Sequence, residues 1–194
     1  MVKKTASLCL LLSFAVIVLV GCNGGGATKN YSADSVMEMK GLTQKAKMYV
    51  SGNKFRIESN SYGRKSIMIV DSDDQTAYIL MPQQKMYMEQ KLDPNQLVGK
   101  TEKFPGEIKR EKLGRETVST FVCDKYKITY KPNAKAKPMS VYQWISADKL
   151  PIKAAAIDGS WSSQLKNVKK GAQPASLFKI PAGYKKFKMP EMPF

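Results

Sequence analysis

The side chains with the most chemical latitude in this chain are its methionines. Met37 and Met39, and again Met86 and Met88, are spaced two apart, which puts paired thioethers on one side of an extended segment, with Met48 and Met81 nearby. Soft thioethers suit copper(I), but they also make a flexible apolar surface that adapts to a partner. Their interleaving with Val50, Phe55 and Ile57 favours the second use. The expected ligand-binding set is therefore Met37, Met39, Met48, Val50, Phe55, Ile57, Met86 and Met88, with no metal and no cofactor.

Catalysis is poorly provided for. The chain has no histidine, which removes Ser-His and Cys-His pairs and histidine-held zinc. Asp71, Asp73 and Asp74 alternate in part like a calcium loop but lack its glycine and distal glutamate, so a solvated hairpin turn is expected there. No catalytic residue is assigned and a non-enzymatic protein is predicted. Cys123 is the one cysteine left once Cys9 and Cys22 are accounted for below. It is expected in the core, the sharper alternatives being an intermolecular disulfide or a metal.

The N-terminus carries a second kind of chemistry. Lys3 and Lys4 precede a 15-residue uncharged, mostly apolar stretch, Ala6 to Val20, short of the about 20 residues a spanning helix needs. That order is a secretory signal peptide. Leu19-Val20-Gly21-Cys22 resembles the lipobox of bacterial lipoproteins, which implies lipidation (a diacylglycerol and a palmitate-type chain) of Cys22 after cleavage. Asn23 rather than an acidic residue follows, which by the same resemblance implies the outer membrane, facing the periplasm. Residues 1–21 are thus expected to be leader and 22–33, with Gly24-Gly25-Gly26, a flexible tether.

The formal net charge is +16, or +14 without Lys3 and Lys4. So basic a domain attracts anionic surfaces. In an envelope these are lipid headgroups or an acidic polymer, and export takes the protein away from nucleic acid. The plainer alternative is that the lysines are solvated strand edges and turns.

Period-two alternation dominates the remainder. Strands are expected over Ser35 to Leu42, Gln44 to Val50, Phe55 to Glu58, Ser66 to Val70, Ala77 to Met81 and Met86 to Glu89, joined by short turns into an antiparallel meander. Asp93 to Val98 suggests a short helix or loop, and Glu102 to Glu111 a linker or edge. The second half adds a weak strand over Glu111 to Val118 broken at Gly114. Phe121 to Tyr130, Met139 to Ser146, Leu150 to Ile157 and Trp161 to Val168 follow as further strands. Lys131 to Pro138 makes a basic loop, and Pro174 to Phe178 one helical turn. One mainly β domain over 34–188 and a tail over 189–194 are predicted.

Several segments, in order, resemble the LolA/LolB-like envelope lipoprotein carriers and an uncharacterised family of lipoproteins related to them. They are Val50-Ser51-Gly52-Asn53-Lys54-Phe55-Arg56-Ile57-Glu58, Ile67 to Leu80 with Lys85-Met86-Tyr87, Gly114 to Tyr126, Val141 to Ser146, Leu150 to Lys153 and Phe178 to Tyr184. The resemblance spans most of 35–188. It implies an antiparallel unclosed β-barrel, a LolA-like half-barrel with one or two short helices, whose apolar concave face holds acyl chains beneath a lid, here Pro94 to Lys103. Two functions follow as expectations. One is a binding module for a lipid or other hydrophobic or anionic envelope ligand. The other is an interaction lipoprotein docking through its basic surface to an acidic envelope polymer or a protein partner.

Overall fold

The computed structural model describes residues 30–92, 104, 106–133 and 135–187. The leader, Cys22, the segment expected as helix and lid, and the tail all lie outside them.

Among the described residues, twelve strands form one sheet. In the first half, β1 (Asn30–Met39), β2 (Leu42–Ser51), β3 (Lys54–Ser61), β4 (Arg64–Asp71), β5 (Thr76–Met81) and β6 (Met86–Lys91) follow each other as neighbours. In the second, β7 (Glu107–Val118), β8 (Phe121–Tyr130), β9 (Met139–Ser146), β10 (Pro151–Ala156) and β11 (Trp161–Lys170) do the same. The halves join where β1 pairs antiparallel with β11. A two-residue β12 (Lys185–Lys186) adds to β6 in parallel. The sheet runs from β12 at one edge to β7 at the other without closing, the expected unclosed antiparallel arrangement. Helix is limited, among the described residues, to 3-10 turns at Pro82–Gln84 and Ala175–Phe178. The second is the turn expected near Pro174; no helix was expected at the first.

Alternation sets the register. The two-residue turns Lys40-Gly41 and Tyr62-Gly63 have positive φ at both positions, the twist that tight hairpins require and that a glycine at the second position permits. β1 starts at Asn30, inside the stretch expected to be tether. Tyr31 and Ala33 are core residues there, 3% and 5% exposed, so the alternation begins earlier than the glycine-rich lead-in suggests. β7, expected to be broken at Gly114, runs through it by a bulge between Lys112 and Gly114. As the edge strand it carries exposed Lys109, Lys112 and Arg115, the charged side chains that discourage edge-to-edge pairing. At its start Gly106 accepts from the Lys131 amide at 2.9 Å. A β-carbon on Gly106 would stand 2.0 Å from the Lys131 carbonyl oxygen, so only glycine fits.

Two clusters seal the sheet. The larger joins Tyr31, Met48, Val50 and Phe55 of the first half to Cys123, Trp144, Ile152 and Leu165 of the second. The smaller packs Ile67, Ile69 and Leu80 against Tyr78, Tyr87, Phe178 and Tyr184. The chain after β11 therefore crosses the sheet as a strap and reaches β6 at Lys185–Phe187.

Candidate ligand-binding face

Cross-strand partners share a face of a sheet. The pairs Met37–Gln44, Ala33–Met48 and Tyr31–Val50 join β1 to β2. Val50–Phe55 and Met48–Ile57 carry the same face to β3. Ile57–Met68 carries it to β4, Met68–Ile79 to β5, and Ile79–Met88 with Met81–Met86 to β6. All eight expected residues thus stand on one face, here called the methionine face.

They divide into two groups by burial. Met48, Val50 and Phe55 are 3–5% exposed and belong to the sealed core; the Tyr31 hydroxyl lies 3.8 Å from the Met48 sulfur as a donor. These three support the face rather than present it. Met37, Ile57, Met86 and Met88 are half-buried, and Met39 is 45% exposed. Four further residues of the face lie outside the expected set: half-buried Met68 and Ile79, half-buried Met81, which the sequence placed only near the paired thioethers, and exposed Leu42. The first three sit in strands whose other side, Ile67, Ile69 and Leu80, is sealed by the strap. Strands buried on both sides read as continuous apolar runs, so alternation gives no signal there.

The opposite face of β1–β4 and β11 holds a groove of about 830 Å³, lined by Asp34, Glu38, Lys45, Lys47, Glu58, Lys65 and Lys166 among others. Glu58 accepts from Arg56 Nε at 2.7 Å and is paired with Lys65 at 3.2 Å. Burial alone would raise its carboxyl pKa, but these two cations bring it below the ordinary value. Asp34 accepts from Asn167 at 2.7 Å. Lys45, Lys47 and Lys166 form no ion pair among the described residues.

Elsewhere several polar groups bind one another. On β9, Trp144 lies between the ammonium groups of Lys125 and Lys153, each 5.0 Å from its ring. It donates to Glu116 at 2.7 Å, and Lys125 pairs with the same carboxylate. Asp71 caps its own turn, accepting from the Asp73 and Asp74 amides and pairing with Lys54. Cys123 is fully buried, out of reach of a second chain. Among the described residues, no three Cys, Asp or Glu side chains are grouped so as to hold a metal ion, and no helix is long and apolar enough to cross a membrane.

Comparison with curated proteins finds no match. Among solved structures, the chain is similar to an uncharacterised conserved protein of Thermus thermophilus, with TM-score 0.58 and 11% identity over 82% of this chain and 90% of that one. It is similar to MucB in the MucB–MucA(peri) complex, with TM-score 0.50 and 13% identity over 81% of this chain and 55% of MucB. It is also similar to the Mycobacterium tuberculosis lipoprotein LppX, with TM-score 0.46 and 14% identity over 80% and 91%. A family profile described as a domain of unknown function, DUF4412, matches residues 34–153. That span runs from β1 into β10 and includes every strand of the methionine face, and the chain belongs to this family.

Proposed function

We propose that this is a lipid-anchored envelope protein that binds a lipid or other amphiphile on its methionine face, without catalysis and without a cofactor. One observation carries the reading. The face continues past its sealed core into Met37, Met39, Leu42, Met86 and Met88, which stay partly exposed. Exposed apolar side chains on one face suit a hydrophobic ligand, and thioethers adapt to acyl chains of varying length and bend. Each buried methylene of a ligand would contribute about 0.8 kcal/mol. The lipobox-like Leu19-Val20-Gly21-Cys22 supports anchoring through Cys22, in the outer membrane and facing the periplasm.

A second reading rests on the groove of the opposite face, where Lys45, Lys47 and Lys166 stand without ion partners among the described residues. They suit an acidic envelope polymer or protein segment. MucB, which shares the fold, has been solved with MucA(peri) bound.

Native mass spectrometry of the protein isolated from its host distinguishes the two. A retained lipid mass, lost when Met39 and Met88 are both changed to Ser, is the expected result. Spectra that show only the bare polypeptide under gentle extraction would count decisively against the amphiphile reading.

A further inference from the structure

The turns β1–β2, β3–β4, β5–β6, β8–β9 and β10–β11 all fall at one end of the sheet, because each closes an antiparallel hairpin in the same direction. Neighbouring tips touch: Gln83 Nε2 donates to the Gly63 carbonyl at 3.2 Å. The Asp158 carboxyl is held below its ordinary pKa by the Ser160 amide and hydroxyl first, and in smaller part by Lys40 from the adjoining tip.

This rim is apolar and cationic together. Met39 is 45%, Leu42 58%, Tyr62 99% and Ile157 43% exposed. Lys40, Arg64 and Lys85 stand beside them, exposed and without an ion pair among the described residues; Glu38 and Asp158 are the nearby acids. Lys40, Tyr62 and Lys85 have φ of 44°, 52° and 50°, a left-handed conformation that favours Gly, Asn and Asp at such turns. At the other end Asp71 pairs with Lys54 and Asp148 with Lys170.

We infer that this rim docks onto an anionic lipid bilayer, the tips of Met39, Leu42, Tyr62 and Ile157 entering the interface while Lys40, Arg64 and Lys85 meet the headgroup phosphates. Exposed apolar side chains ringed by cations are how a folded surface binds a membrane it does not span. The inference shares Met39 and Leu42 with the proposed amphiphile face, but Tyr62, Ile157, Lys40, Arg64 and Lys85, on which its test turns, lie outside the residues proposed for that ligand. Asn30, where β1 begins, is at the opposite end, so a chain anchored through its N-terminus presents this rim away from the anchor.

The test uses the chain from residue 22 with Cys22→Ser, which keeps every described strand and removes the lipid anchor. Sedimentation is measured with phosphatidylcholine vesicles, with and without phosphatidylglycerol. Binding that needs phosphatidylglycerol is expected. Each cation at an anionic surface adds about fivefold, so K40Q with K85Q should weaken it roughly thirtyfold. K149Q with K169Q, equal in charge and placed at the other end, should leave it unchanged. Tyr62→Trp should shift its emission to the blue on vesicle addition. Equal losses in the two double variants, no blue shift, or capture by soluble polyglutamate without capture by vesicles would each overturn the inference.

Discussion

Arg56, on β3, donates from Nη1 to the carbonyl of Leu177 at 2.8 Å, across 121 residues of sequence, and from Nε to Glu58 at 2.7 Å. Its fork joins the strap to the sheet, and it is only 7% exposed. Replacement by Met leaves a carbonyl unpaired and strips Glu58 of its closer cation. A loss of about 2–4 kcal/mol is expected, seen as a lower urea midpoint, together with faster proteolysis after residue 171. Arg56→Lys should recover only part of it, because one ammonium cannot reproduce the planar fork. A variant as stable as the parent would show that Phe178 and Tyr184 hold the strap unaided.

The strap also marks the limit of what the sequence discloses. Arg56 alternates with Phe55 and Ile57 and so belongs to a solvated face by pattern; nothing local tells that a segment 121 residues away will cover it. The register of β1–β3 was legible because each polar residue between Met37, Met48, Val50 and Ile57 announces the turn of the pleat. For Ile67 to Val70 and Ala77 to Leu80 the strap buries the side that would otherwise be polar. The pattern falls silent where a distant element intervenes. The groove could not be foreseen for a related reason: Lys47 and Lys166 become neighbours of Asp34 only through the β1–β2 and β1–β11 pairings.

Cys123 should behave as an inert core residue. Burial, with smaller contributions from Asp124 and Asp148, pushes its thiol up to about 11 from an ordinary 9.0. The folded chain therefore holds a proton that the unfolded chain gives up first. Stability should be undiminished below pH 9 and fall as pH rises from there through 11, by on the order of 2 kcal/mol from this group. Tyr78 and Tyr130, also raised by burial, act in the same direction. Cys123→Ala should flatten the thiol's share of the fall in alkaline urea titrations. Rapid labelling by a thiol reagent at neutral pH without denaturant would contradict this placement.

Acid has the opposite sign. Burial alone would raise the Asp71 carboxyl, but Lys54 and the amides of Asp74 and Asp73 take it below its ordinary 3.8; Glu58 is lowered in the same way by Arg56 and Lys65. A carboxylate depressed by folding stabilises above its unfolded pKa, and that contribution disappears as pH falls through the folded one. Stability should hold above about pH 5 and decline below pH 4. Asp71→Asn should make the decline shallower while lowering stability at neutral pH by about 1 kcal/mol. A decline of equal slope in the variant, measured by denaturant titration across this range, would place the acid-sensitive groups elsewhere.

The methionines of one face should separate into those that hold the sheet and those that meet a ligand. Met48 is 3% exposed, packed with Tyr31, Val50 and Phe55, so Met48→Ala should cost about 2–4 kcal/mol through the cavity it leaves. Met39, at 45% exposure, has little to lose on truncation, and Met39→Ser should change stability by no more than about 0.5 kcal/mol. A fatty-acid probe whose fluorescence rises on burial should show the reverse ranking: weakened by Met39→Ser, and retained by Met48→Ala wherever that variant is still folded. Both sulfurs lie on the same side of adjoining strands, so their chemistry and orientation match and only their depth differs. If both variants lose probe binding in proportion to their loss of stability, the half-exposed thioethers are an edge of the core and not a binding surface.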